Sequence, residues 1–526
     1  MYNKIASSAL CLLRLASLAS SLPVTVVESA TANAIWVRKD NTLNATIYPA
    51  ELKTINGVLL SLGSNDSTSN SIAPLSDSEG LGGDTSSNTA SIPVTFPART
   101  DRGPQFANLT TTALVTSTSS ETSSSSSNDT YSVDAVASAA SGTLQLQFIN
   151  KWHTQNLIVT ITGLDPNGAL IMLGQNGQWV YPTTSSSTPQ LVNANINIPL
   201  GKPNSTLSLT LPGYITSSRV WISEGPLKFY VVATPRGPGL VEPAAVNPAD
   251  SNSQINYGFG ELSWGQSFGL FADITAVDFV GLPLGLELID TANQQQSVLG
   301  TPANAAAALC NQLKAQKKID GRAWDQLCAY TPNGDLVRVL APALLQSQKP
   351  KVFGTYFAEY VNDVWNHYKS HDLIIDTQTT PGNVTCRVTG NTLNCAGDTR
   401  GYAKPTNLDI FGCNTGSFAI QAGDNDVHLA VVPRLCAAFN RATLLLPDGN
   451  IQPCLPPQTY YTQDSARAVN TRPMNHYSDL VHKMEIGQKG YAFSYDDVAP
   501  SPAEDRSGLV FSTSPKMLTW IVGGSG

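Results

Sequence analysis

Residues 257–290 read YGFGELSWGQSFGLFADITAVDFVGLPLGLELID, two extended runs separated by GQSFG. Each run places an acid among apolar and aromatic residues: Glu261 in the first, Asp273 and Asp278 in the second. A carboxylate among Phe, Trp, Val and Leu on a strand bears a desolvation cost that a surface acid avoids, so it needs a partner or a purpose. A hairpin with its turn centred on Ser267 sets Glu261 directly opposite Asp273. Asp278 then lies five residues further along, roughly 16 Å at strand rise. Gly258, Gly260 and Gly269 invite bulges that would change this pairing.

Upstream, GTLQLQFIN from Gly142 alternates Leu144, Leu146 and Phe148 with polar neighbours. LIVTITGL, GALIMLG, QWVYP, ANINIPL, STLSLTLPGYI, RVWIS and LKFYVVA follow, with Gly, Pro or Asn between them. Short strands punctuated by turn residues predict a β-sandwich or barrel, with the acids held on strands. After Asp290 the composition becomes helical in TPANAAAALCNQLKAQKKI, GRAWDQLCAY, LVRVLAPALLQSQ and TYFAEYVNDVWNHYKSH. Thr301 before Pro302 is the expected helix cap. Tyr356, Phe357, Tyr360 and Trp365 fit one buried face. A further helix is expected in VPRLCAAFNRATLL, and YAFSYDDVAPSPAEDRSGLVFS returns to strands. The fold class is therefore mainly β with an α/β part: a β domain over 142–295 completed by strands in about 488–526, and a mixed α/β domain over about 296–487.

Of 526 residues only 13% are charged, while Gly 40 and Pro 33 suit many short strands and turns. A net charge of −8 without a Lys/Arg cluster argues against a nucleic-acid surface and suits a neutral polymer. Residues 1–22 read as a signal peptide, in which Lys4 precedes an apolar run interrupted by Arg14. No later stretch reads as a membrane span, so the mature protein is expected to be secreted, extracellular or wall-associated, and monomeric. Residues 23–141 are largely Ser, Thr, Asn and Gly, too poor in apolar surface to offset chain entropy. Sequons at Asn44, Asn65, Asn108, Asn128, Asn204 and Asn383 fit that compartment. With Cys11 in the leader, seven cysteines remain; bridges are the default, Cys386 with Cys395 is plausible across CRVTGNTLNC, and one thiol is left over.

Other chemistry is not signalled. No HExxH, P-loop or dinucleotide fingerprint is read in the chain, nor a nucleophile elbow of the G-x-S-x-G kind. Neither a cofactor nor a metal site is implied. Asp424 and Asp426 in AGDNDVH read as a polar turn rather than a calcium loop. His476 and His482 read as surface or core residues, and Asp496 and Asp497 in FSYDDV either line a cleft or stabilise a turn. Two acids facing one cleft are what glycosidic hydrolysis requires: about 6.5–9.5 Å apart for inversion, about 5–5.5 Å for retention.

ADITAVDFVGLPLGLEL, with GELSW before it and RLCAAFNRATLL and GQKGYAFSYDDV after it, resembles the β-1,3-glucanases of glycoside hydrolase family 64. The likeness covers about Gly142 to Gly526, and the chain looks like a fungal-type secreted member. It implies a thaumatin-like β-sandwich or barrel beside a smaller mixed α/β domain, flanking a wide cleft that holds β-1,3-glucan. It also implies metal-independent, inverting, endo-type hydrolysis that releases short oligosaccharides. Matched by position, Glu261 is the general acid and the Asp of VDFVGLP, Asp278, the base, against the register argument that prefers Asp273. Thr275 matches a substrate-contacting Thr. Phe271 stands where the family often has Trp, and FSYDD replaces the more usual F-P-Y-D-D. Tyr257 and Trp264 are candidates for stacking on glucose or for the core. A non-catalytic, thaumatin-like glucan-binding or wall protein is the alternative.

Overall fold

A computed structural model describes residues 142–462 and 473–524 in full and, before them, only the backbone of short strands between residues 25 and 59. The expected leader, most of the Ser/Thr-rich stretch and the sequons other than Asn204 and Asn383 fall outside the residues described in full, and those two asparagines are exposed.

Alternation of apolar and polar residues builds two facing sheets. β1 (Leu144–Asn150) buries Leu144, Leu146 and Phe148, as its pattern predicts. β2 (Leu157–Leu164), β3 (Leu170–Leu173) and β4 (Trp179–Val180) follow, then β5 (Thr206–Leu211) and β6 (Ile215–Glu224). The hairpin of β7 (Tyr257–Gly265) and β8 (Gly269–Ile274) leads to β9 (Phe279–Val280), β10 (Leu284–Asp290) and β11 (Gln295–Val298). The larger sheet runs β18–β8–β7–β6–β2–β3–β4, where β18 is Val510–Ser512. It is open at β18 and β4, so a sandwich forms and not a closed barrel. The second sheet runs β5–β1–β19–β10–β11, with β19 (Pro515–Val522) parallel to β1 and antiparallel to β10. The chain end thus returns to the sheet that its beginning started.

The inner faces share one core, in which Phe148, Ile161, Ile222, Leu262, Leu286 and Trp520 meet. Strand periodicity sends alternate residues of β6 and β7 the other way. Trp221, Tyr257 and Phe259 accordingly join a second core, with Trp324, Phe357, Tyr360 and Phe439 of the helical part. That part contains α1 (Ala305–Asp320), β12 (Cys328–Tyr330), β13 (Leu336–Leu340), α2 (Ala358–His367), β14 (Leu373–Asp376), β15 (Asn383–Thr389), β16 (Thr392–Cys395), α3 (Asp426–Asn440), β17 (Ile451–Gln452) and α4 (His476–Met484). Tyr356, Phe357, Tyr360 and Trp365 are buried together, as their spacing predicts.

Four expectations are corrected. Of YAFSYDDVAPSPAEDRSGLVFS only Val510–Ser512 is a strand, because the segment before it runs in turns and a short 3-10 turn at Pro502–Glu504. LVRVL is strand β13, because Leu340 and Val339 pair with Phe279 and Val280 of β9, and that tertiary partner outweighs local composition. GRAWDQLCAY is a short 3-10 turn over Ala323–Leu327 followed by β12. α1 starts at Ala305 after Asn304, because Pro302 to Asn304 form a turn in which the Ala305 amide donates to the Pro302 carbonyl.

Cys310–Cys328, Cys386–Cys395 and Cys413–Cys436 are disulfides. Cys454 is disulfide-bonded too, and no described cysteine is free. The expectation of a leftover thiol among these seven is corrected.

Candidate active site

The β7–β8 ladder is unbroken from Gly265 opposite Gly269 to Gly260 opposite Ile274, and Glu261 stands directly across from Asp273. The turn is centred on Ser267 and no bulge intervenes; Gly269, at φ +82°, supplies its left-handed residue. GQSFG carries the letters of G-x-S-x-G, which corrects the reading that the pattern is missing. Here it joins two antiparallel strands, not a strand to a helix, and so is no nucleophile elbow.

On its other side Glu261 faces Arg219 of β6, which in turn faces Thr162 of β2. Thr162, Arg219, Glu261 and Asp273 thus form one row across the sheet. The Arg219 Nε donates to Glu261 Oε1 at 3.4 Å, while Nη1 is bound by Glu242 Oε2. The guanidinium also lies over the Phe259 ring, 4.8 Å from its centroid. Burial opposes its charge, but Glu242 and Glu261 outweigh burial and hold it above its ordinary value. Glu261 keeps 22% of its side chain exposed, whereas Asp273 is 5% exposed.

Asp273 belongs to a group of acids that meet where the C-terminal segment joins the hairpin. Ala276 donates its amide to the Tyr491 carbonyl at 2.7 Å, and Thr275 bridges Tyr491 in parallel fashion. This brings Asp497 beside Asp273. Burial first, then Glu261 and Asp497, push the Asp273 carboxyl well above the usual range. Burial and the neighbouring Asp505 push Asp497 up to about 7. The Tyr491 hydroxyl is raised by burial and then by Asp497, Asp273 and Asp505.

Asp278 lies beyond this ladder. β8 ends at Ile274 and the chain bends at Val277 and Asp278, so it does not continue as a straight strand. Phe279 returns edge-on to Phe259 at 5.7 Å and to Tyr257 at 5.1 Å, both on the Glu261 face of β7. Asp278 is 5% exposed, and its carbonyl accepts from the Ala341 amide at 2.8 Å. Thr275 Oγ1 accepts from the Val277 amide at 3.2 Å. Thr275 also lines a crevice with Phe259, Phe279, Gly281, Thr301 and Glu485.

The aromatic candidates fall elsewhere. Trp264 points into the sandwich core, and Tyr257 is fully buried under Arg338, whose guanidinium lies 4.3 Å from the ring centroid. Phe271 is buried against Phe511, with ring centroids 4.5 Å apart. The two acids of FSYDDV divide. Asp496 is bound by Arg441 Nη2 at 2.9 Å, His482 Nε2 at 2.8 Å and the Ala492 amide at 2.9 Å, while Asp497 joins the acids around Asp273. Asp424 is gripped by Arg400 through both oxygens, at 2.6 and 2.9 Å, and Asp426 opens α3 behind the Asn425 cap; these are structural roles. His476 is buried edge-on to Trp324, and burial lowers it to about 4. Among the described residues no group of three or more His, Cys, Asp or Glu is arranged to hold a metal ion.

Sequence reading missed Arg219 and Arg338. Arg219 sits between Ser218 and Val220, just before the buried stretch WIS, and a lone Arg among core residues is a signal of the same kind that singled out Glu261. Arg338 is 1% exposed and donates to the carbonyls of Ala245, Ser253 and Ile255, fastening the loop before β7.

A two-sheet sandwich that carries paired carboxylates on the outer face of β7 and β8 is an arrangement compatible with two-carboxylate glycoside hydrolysis. The family model described as beta-1,3-glucanase, glycoside hydrolase family 64, matches residues 142–522, and the chain belongs to that family. The glucan endo-1,3-beta-glucosidase of Cellulosimicrobium cellulans is 27% identical over 293 residues, which are 54% of this chain and 48% of that protein. The enzyme of the same name from Arthrobacter sp. (strain YCWD3) gives the same identity and coverage. The chain spans about half the length of these curated relatives. In fold it is similar to a laminaripentaose-producing beta-1,3-glucanase crystallised with laminaritetraose: TM-score 0.61 at 23% identity, over 72% of this chain and 98% of that one. A beta-1,3-glucanase domain from Clostridium beijerinckii gives a TM-score of 0.55 at 22% identity, with the same coverage.

Proposed function

We propose that this chain is an endo-acting β-1,3-glucan hydrolase that inverts the anomeric centre and releases short oligosaccharides. Glu261 donates a proton to the leaving glycosidic oxygen, and Asp278 takes one from the attacking water. The observation that carries this reading is that Glu261 stays partly exposed on the outer face of β7, and that Phe279, the residue after Asp278, packs on Phe259 of that same face, within a chain of family 64. Asp273 suits the base role less well. Residues directly opposite on paired strands have Cβ atoms about 4.5–5.5 Å apart, which leaves little room for a water between carboxyls.

The relatives' printed activity and the neighbour crystallised with laminaritetraose support β-1,3-glucan as the partner. Thr275, in the crevice lined by Phe259 and Phe279, is assigned to substrate contact. With Phe271 turned onto Phe511, recognition there rests on polar groups more than on ring stacking. The three disulfides support a secreted, extracellular or wall-associated protein. We assign the sandwich to the thaumatin-like kind, and the protein to a monomer that needs no cofactor.

The test is release of soluble oligosaccharides from linear β-1,3-glucan by the purified protein, Glu261→Gln and Asp278→Asn, each confirmed to be folded. Release by the parent, with a loss of about 10²–10⁴-fold in both variants, is expected. A folded parent that binds the glucan without releasing sugar would overturn the enzyme reading and leave a glucan-binding protein.

A further inference from the structure

We infer that Glu261 and Asp273 hold a single proton between them, and that Asp273 is a positioning residue that keeps Glu261 able to donate. This rests on the hydrolase reading and adds a residue to it. The geometry is that of a dyad. The two residues are direct cross-strand partners, Glu261 at the opening and Asp273 behind it, 5% exposed. Two carboxylates so placed cannot both ionise without mutual repulsion, so one proton stays on the pair over a pH range in which a lone acid would lose it.

The charges around the pair show why a partner is needed. Arg219 approaches Glu261 from β6 at 3.4 Å, and alone it would strip Glu261 of its proton by favouring the carboxylate. Glu242 engages the same guanidinium and offsets part of that pull. From the C-terminal segment Asp497 acts on Asp273, with Tyr491 beside both and Asp505 behind Asp497. Asp273 is therefore surrounded by acids and a phenol, while Glu261 has the cation. Burial and these neighbours raise Asp273 well above the usual range, the direction that a shared proton demands.

In the reaction Glu261 passes the pair's proton to the glycosidic oxygen as the C1–O bond breaks. The water oxygen bonds to C1, and its proton goes to Asp278. The pair is then a dianion, partly neutralised by Arg219, until the proton on Asp278 returns to it directly or through solvent. Protons balance over the cycle, and no other reactant is needed.

The experiment compares the pH dependence of kcat on linear β-1,3-glucan for the parent and Asp273→Asn, alongside infrared spectra of the protonated-carboxyl band. Asn is neutral, so Glu261 loses its repelling neighbour but keeps Arg219. The alkaline limb should move about one pH unit or more toward acid. The parent should show a protonated-carboxyl band at pH 7 that weakens in the variant. Asp273→Ser, neutral and smaller, serves should the Asn variant fail to fold. An unmoved alkaline limb would overturn the inference, as would a folded variant inactive at every pH, which would make Asp273 the base. A parent without glucanase activity would sink the hydrolase reading alone. The infrared comparison would still decide the shared proton, because a band equal in parent and variant, or missing from the parent above pH 6, overturns it.

Discussion

The ring of Phe279 meets that of Phe259 edge-on at 5.7 Å, and this contact folds the chain after β8 back over the face that carries Glu261. Asp278 is the residue immediately before that ring. Phe279→Leu keeps most of the apolar volume, so it should fold at a cost below about 1.5 kcal/mol. It should nonetheless lower kcat by about tenfold or more, because a small misplacement of a catalytic group is expensive. Chemical denaturation set beside glucan hydrolysis separates the two effects. Unchanged turnover in Phe279→Leu would mean that Asp278 is not positioned by this contact.

His482 is held between Asp496 at 2.8 Å and Glu485 at 2.8 Å, and Asp496 also binds Arg441. Burial opposes the imidazolium, but the two carboxylates outweigh it and raise His482 from 6.5 to about 10. The folded protein therefore keeps a proton there that the unfolded chain releases near 6.5. The stability this supplies is fully present below pH 6.5 and is lost as pH rises toward 10. Urea midpoints should fall across that window in the parent. Breaking the network with Asp496→Asn should cost about 3–5 kcal/mol at pH 7. A flat profile from pH 6.5 to 10 would contradict the assignment.

Gly260 of β7 packs directly against Trp520 of β19 in the facing sheet. A Cβ there would come within 2.5 Å of the Trp520 ring and closer still to the Asp273 carbonyl. Neither the ring, wedged in the core, nor the backbone of β8 can move aside cheaply. Gly260→Ala should destabilise by about 1–3 kcal/mol and should also disturb the Glu261–Asp273 pairing. Thermal melting with hydrolysis assays checks both, and a variant as stable as the parent would show that β19 can shift.

Asp497 is expected to cost stability. Its carboxyl ionises near 7 in the folded chain against 3.8 for the free group, and its Oδ1 is buried with no hydrogen-bond partner among the described residues. The folded state thus binds more protons between these values, and stability falls as pH rises from 3.8 to 7. Asp497→Asn should be neutral at pH 4 and stabilising at pH 8 by about 1 kcal/mol, or roughly 2 °C in melting temperature. Equal melting of parent and variant at pH 8 would remove the premise.

Much of this was legible in the sequence for a local reason. Side-chain period along a strand is fixed by backbone geometry, so β1 and the β7–β8 hairpin, with its turn at Ser267, could be read from alternation and from GQSFG. The pairing of Glu261 with Asp273 follows from that register alone. Where Asp278 sits could not be read this way. Its position depends on a bend at Val277 and Asp278 and on ring contacts with Phe259 and Tyr257 on another strand. LVRVL was misread because its strand partner is Phe279–Val280, some sixty residues upstream. Asp496 and Asp497 are adjacent and chemically identical. Only tertiary structure turns one toward Arg441 and His482 and the other toward Asp273, because the charges that tell them apart come from distant parts of the chain.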